Sequence, residues 1–172
     1  RSRVQAVPPA QHRLGSREAI FPAEPGGGTW VGVNDAGVGF ALINWYSVSR
    51  RVSQNPISRG EVTRAMLAWG GAREAAERML SLRLENTNPF RLIGIFPREK
   101  RVVEWRWNLL QLASVGHDWA TNIWISSGFD EPGAQRTRYA EFLRARERLS
   151  LRAGSLRALH ASHAPSCGPY SV

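Results

Sequence analysis

The stretch GGGTWVGVNDAGVGFALINWY, Gly26 to Tyr46, reads as a β-hairpin with its turn included. Thr29 to Val33 alternates, placing Trp30 on one face and Val31 and Val33 on the other. Asn34-Asp35-Ala36-Gly37 supplies turn chemistry, because Asn and Asp tolerate the left-handed region and Gly enters it without a Cβ clash. Val38 to Ile43 is the returning strand, nearly all apolar, as expected where both faces are covered. It ends at Asn44, a polar amide held where the apolar run stops. A sheet fixes such a group rigidly, and that is one way to build a site.

Outward from this hairpin, the chain alternates breakers with short periodic segments. Residues 1–28 read as an irregular lead-in, because Pro8-Pro9, Pro22, Pro25 and Gly26-Gly27-Gly28 interrupt any regular element. Residues 47–57 read as a polar loop. Ser58-x-x-Glu61 is a capping box, and Val62, Ala65, Met66 and Trp69 follow at helical spacing. Gly70-Gly71 ends that helix. A second helix is expected from about Ala72 to Leu82, with Ala75, Ala76, Met79 and Leu80 inward.

Arg91–Phe96 and Arg101–Trp107 flank Pro97-Arg98-Glu99-Lys100 as a second hairpin. Alternation puts Val103, Trp105 and Trp107 on one of its faces, Val102 and Glu104 on the other. Asn122–Ser126 reads as a short strand, residues 133–151 as an amphipathic helix with Tyr139, Phe142, Leu143 and Leu149, and Ser155–His160 as a shorter helix. Hairpins separated by a helix pair predict an α+β fold with antiparallel sheets.

The pattern GGGTW-x-G-x-N-x-x-G-x-x-x-A-L-x-N resembles the NRDE proteins, the transport-and-Golgi-organisation family. SRGEV at Ser58–Val62, NPFRLIG at Asn88–Gly94, the I-S-S-G turn at Ile125–Gly128 and GPYSV at Gly168–Val172 agree with it in order. The resemblance implies an N-terminal-nucleophile-hydrolase-like fold, an αββα sandwich of two antiparallel sheets between helical layers. Family members open with Met-Cys and the Asn-Arg-Asp-Glu motif, neither of which lies in this sequence. The expectation is therefore a single NRDE-like domain over residues 1–172, incomplete at both ends, without the N-terminal cysteine strand and the last strands.

The resemblance also implies the site. In cysteine acylases of this fold an Asn at the end of this strand donates to the oxyanion, which falls on Asn44. A second Asn of those enzymes falls on Ser127, whose hydroxyl is also a donor. The structural alternatives are an Asn that closes a strand and a Ser that forms a turn. Trp30 and Trp45, with Trp105, Trp107 and Trp124, line an apolar ligand pocket or simply fill the core.

Two functions follow. One is hydrolysis of amide or acyl (C–N) bonds by an N-terminal Cys that this chain lacks, which would leave the 172-residue piece inactive. The other is non-catalytic binding or trafficking of haem or a lipid-like small molecule. The expected partner is thus a small-molecule substrate or a haem or lipid ligand. No cofactor or metal is expected, with haem entering only as a ligand.

Composition narrows the classes. With 42% hydrophobic residues and seven Trp among 172 residues, the chain can bury a core of its own. No apolar run approaches the roughly 20 residues of a membrane span. The single Cys167 excludes an internal disulfide and suits a reducing, cytoplasmic setting. The net charge of +9 rests on Arg, with Lys100 the one lysine, as expected of codon bias in a bacterial genome. Arg136, Arg138, Arg144, Arg146, Arg148, Arg152 and Arg157 crowd one segment. Glu141 and Glu147 interleave there without a nucleic-acid motif, so nucleic-acid binding is not expected. Gly26-Gly27-Gly28 lacks the Lys-Ser/Thr and helix of a phosphate loop. His160-x-x-His163 with Cys167 matches no standard metal spacing.

Overall fold

A computed structural model describes residues 6–120 and 122–148, together with Gly154, Arg157 and Ala158. The chain divides into two compact units, Arg1–Ala120 and Thr121–Val172.

The first unit is a seven-stranded antiparallel meander. Its strands are β1 (Val7–Leu14), β2 (Arg17–Ala23), β3 (Val31–Asn34), β4 (Gly39–Asn44), β5 (Phe90–Phe96), β6 (Arg101–Trp107) and β7 (Leu112–His117), paired in that order. Two helices, α1 (Arg59–Met66) and α2 (Ala72–Ser81), lie between β4 and β5 in sequence. The α+β class follows directly. All seven described strands belong to one sheet, and the second sheet of an αββα sandwich has no counterpart among the described residues.

The lead-in reading of residues 1–28 is corrected, since most of that stretch is the β1–β2 hairpin. Proline survives there for positional reasons. Pro8-Pro9 falls on an edge strand, at a register shift between Val7 and Ala10, and Pro22 lies beyond the Ala19↔Asn34 and Ile20↔Val33 pairs that join β2 to β3. The expected strand at Asn122–Ser126 is absent as well, and the seventh strand is Leu112–His117 instead. Leu109, at φ +76°, turns the chain into it without Gly or Pro to announce the turn.

The core lies between the helices and one sheet face. Phe21, Phe40, Phe90, Leu92, Phe96, Trp105 and Trp107 meet Val62, Met66, Leu67, Ala75 and Met79 there. Phe40, Phe96 and Trp105 form an aromatic cluster, with Phe40 and Phe96 edge-to-face at 5.8 Å. The inward assignment of Leu80 is corrected. It is 76% exposed, because Ala72, Ala75 and Met79 define the buried stripe and Leu80 lies about 100° around the helix from Met79.

The opening motif and the helix start are joined by a close backbone approach. The Thr29 N–H donates to the Gly60 carbonyl at 3.1 Å. A Cβ on Gly60 would stand 2.8 Å from the Thr29 nitrogen, and one on Gly28 would stand 3.0 Å from the Gly60 carbonyl carbon. Glycine is required at position 60, and a Cβ at position 28 would press on the same backbone. Ser58 caps α1 by accepting from the Gly60 N–H at 3.2 Å, an N-cap bond to the second helical residue rather than to Glu61, the third, as the expected capping box would have it.

In the second unit, α3 spans Glu131–Arg148. Asp130 precedes it and accepts from the Gly133 N–H at 3.0 Å, as an N-cap does. Phe142 is buried and Tyr139 exposed. Leu149, Arg152, most of Ser155–His160, His163, Cys167 and Gly168–Val172 lie outside the described residues. Among the described residues no helix is long and apolar enough to cross a membrane, and no group of three or more His, Cys, Asp or Glu is placed to hold a metal ion.

Candidate functional site

Asn44 is the last residue of β4, opposite Phe90 of β5. Alternation along β4 puts it on the helix-side face with Phe40 and Leu42, at the end of the core. Its side chain is half-buried, and its Nδ2 donates to the Tyr46 hydroxyl at 2.9 Å. The amide is thus a donor oriented by an interior strand.

Trp30 lies opposite Leu42, two residues back along β4. Its carbonyl accepts from the Leu42 N–H at 2.7 Å, and alternation back from Asn34 and Gly32 puts its side chain on the same face. Trp30 is 40% exposed, and Trp45 is half-buried directly after Asn44. The first unit therefore carries three of the four candidate residues at one end of β4. Ser127 belongs to the second unit. Its hydroxyl oxygen accepts from the Phe129 and Asp130 N–H groups, each at 3.3 Å, so it shapes the turn that leads into α3.

Asn34 is engaged on every side. Nδ2 donates to the carbonyls of Leu67 (3.0 Å) and Trp69 (2.8 Å), while Oδ1 accepts from the N–H groups of Ala36 (3.1 Å) and Val38 (3.0 Å). It forms the hairpin turn and also ties that turn to the end of α1.

The most developed polar cluster lies on the opposite sheet face and centres on Glu104, whose side chain is 0% exposed. Oε1 accepts from Arg91 Nε at 2.5 Å, and Oε2 accepts from Arg106 Nη2 at 2.9 Å and meets His117 Nε2 at 2.8 Å. The register explains the convergence. Glu104 pairs with Ile93 and Val115, so Arg91 and His117 are its diagonal neighbours, while Arg106 is two residues along the same strand. Burial pushes the Glu104 carboxyl up. The hydrogen bonds from Arg106 and Arg91, the Arg91 charge and the His117 contact outweigh it, bringing the value down from 4.5 to about 2. Bonding to Glu104 likewise raises Arg106.

Glu104 therefore stays ionised and pinned, a structural anion rather than a proton acceptor. Composition and spacing alone did not reveal this group. The one signal was Glu104 sharing a strand face with Arg106 two residues on, since convergence with Arg91 and His117 depends on the register of three strands.

An antiparallel sheet covered by two helices, with an Asn held at the end of an interior strand, defines an α+β scaffold with a hydrogen-bond donor fixed at a strand end. The model of the family described as Transport and Golgi organisation 2 matches residues 2–123, and the chain belongs to that family. The family is the one that the GGGTW, SRGEV and NPFRLIG motifs resemble. No curated protein matches the chain. Among solved structures, penicillin V acylase from Agrobacterium tumefaciens is similar with a TM-score of 0.48 and 12% identity, over 91% of this chain and 54% of that one. The chain spans about half the length of that enzyme.

Proposed function

We propose that the whole protein hydrolyses amide or acyl bonds, with Asn44 as a donor to the oxyanion. The observation that supports this reading is the placement of Asn44, a side-chain amide held by a register-locked strand and already donating to a hydroxyl oxygen at 2.9 Å. The family resemblance supplies the rest. An N-terminal cysteine thiolate would add to the carbonyl carbon while its own α-amino group takes the thiol proton. Negative charge then develops on the carbonyl oxygen, where a preorganised amide N–H stabilises it. Collapse expels the amine, which takes the proton, and water releases the acyl group. Residues 1–172 contain no such cysteine, their one Cys being Cys167.

The test uses the whole protein purified from its host and a panel of acyl-amide substrates. Asn44→Ala is expected to lower kcat about 100- to 1,000-fold, the cost of one oxyanion donor, with KM little changed. Wild-type turnover in that variant would exclude the role. Ser127 accepts from two backbone N–H groups, which leaves its O–H as a donor, so an unchanged kcat in Ser127→Ala would assign it to the turn and a fall like that of Asn44→Ala to the oxyanion.

A second reading, binding of haem or a lipid-like molecule without catalysis, is favoured by the exposed Trp30 and by the exposed Ile20, Val31 and Val33 on the opposite face. A Soret shift on micromolar haem titration is its expected sign, and an unchanged spectrum counts against a haem role.

A further inference from the structure

The strand β4 ends at Asn44, and the chain leaves the sheet through Trp45 into a turn at Tyr46. Residues two apart along a strand share a face. At this strand end the two side chains meet, with Asn44 Nδ2 donating to Tyr46 Oη at 2.9 Å. The backbone of Asn44 is fixed independently by its place opposite Phe90 in the β4–β5 ladder. Neither side chain makes another hydrogen bond among the described residues.

This bond determines where the remaining protons point. An Asn amide carries two N–H groups and a phenol carries one O–H. Tyr46 Oη accepts from one N–H of Asn44, so its own O–H is directed away from that nitrogen. Two donors are left, the second N–H of Asn44 and the O–H of Tyr46, on atoms 2.9 Å apart. One oxygen about 2.8 Å from each closes a near-equilateral triangle with them, within the donor range of an oxyanion site. A hydroxyl that accepts a hydrogen bond is polarised by it and donates more strongly in turn.

We infer that Tyr46 is a second donor to the oxyanion, its O–H converging with the remaining N–H of Asn44 on one developing negative charge. The inference rests on the hydrolase reading above and adds a residue to its site. The resemblance puts a second donor at Ser127, whose printed bonds shape its own turn. Tyr46 supplies one from the same strand end as Asn44. It lends a hydrogen bond and keeps its proton, so the proton balance of the reaction is unchanged. Two neutral donors favour an oxygen that gains charge during the reaction over one that is already anionic, which places their effect on kcat rather than KM.

The test is a double-mutant cycle in the whole protein, read as steady-state kinetics on acyl p-nitroanilides of short, medium and long chain. Tyr46→Phe keeps the ring and removes only the hydroxyl of a residue that is 41% exposed, so the fold should be retained. Its kcat should fall at least tenfold with KM within about twofold. The double variant Asn44→Ala with Tyr46→Phe should fall at least tenfold below Asn44→Ala alone. A Tyr46→Phe loss that vanishes in the Asn44→Ala background would make Tyr46 a positioning residue for Asn44 and overturn the donor role. A raised KM with kcat unchanged would overturn it too, as would wild-type kinetics in Tyr46→Phe. If Asn44→Ala is still slowed in that last case, the hydrolase reading survives without Tyr46. Wild-type turnover in Asn44→Ala, or no turnover in the whole protein, would sink the hydrolase reading and this inference with it.

Discussion

Glu104 shows most clearly how one side chain can govern a region of this protein. It is buried on the strand that carries the core tryptophans, and it is tolerated because Arg91, Arg106 and His117 converge on it. Removing one partner of a buried ion pair leaves the other charge uncompensated. Glu104→Ala should therefore cost about 3–5 kcal/mol in denaturant unfolding. A loss below about 1 kcal/mol, typical of an exposed pair, would contradict the picture. The same group sets an acid limit. Its carboxyl titrates near 4.5 when unfolded and at about 2 when folded. The stabilisation is thus complete above 4.5 and is lost as pH falls from there toward 2, a loss on the order of 3 kcal/mol. Urea midpoints between pH 5 and pH 2 should fall more steeply for the wild type than for Glu104→Gln, and parallel slopes would refute the assignment.

Among the elements, the crossing of the glycine loop over the start of α1 links the two most distinctive motifs. Gly60→Ala would place a methyl 2.8 Å from the Thr29 nitrogen, and the neighbour is backbone that must shift. A destabilisation of about 1–3 kcal/mol is expected, as for overpacking elsewhere. An unchanged thermal midpoint would show that the loop yields freely. Much at this level was legible in the sequence. Asn34-Asp35-Ala36-Gly37 announced its turn, Ser58 its helix start, and residues 101–107 matched β6 to the residue, whereas α1 ends at Met66, before Trp69 and the expected break at Gly70-Gly71. The failures share a cause. The strands β1 and β2 were hidden by prolines that an edge position and a register shift accommodate. The strand β7 follows a turn made by Leu109, a residue type that carries no turn signal. The Glu104 cluster was hidden because local periodicity assigns faces but not register. Asn44 could be placed at a strand end from sequence, whereas its bond to Tyr46 required the fold.

At the scale of the molecule, the first unit ends in two outer strands, β1 and β7, each paired on one side only among the described strands. Open strand edges recruit other chains. Sedimentation of residues 1–172 is expected to show association that grows with concentration. A monomer at all concentrations, with a sharp reversible unfolding transition, would contradict that. Family membership, the α+β sheet and the placement of Asn44 together support the hydrolase proposal, which turns on the source of the nucleophile. The most direct measurement is the intact mass and N-terminal sequence of the protein purified from its own host. The proposal predicts a mass above the 19.2 kDa of this chain and a cysteine at the N-terminus. A mass of 19.2 kDa with Arg1 at the N-terminus would leave no nucleophile and contradict hydrolysis by this route.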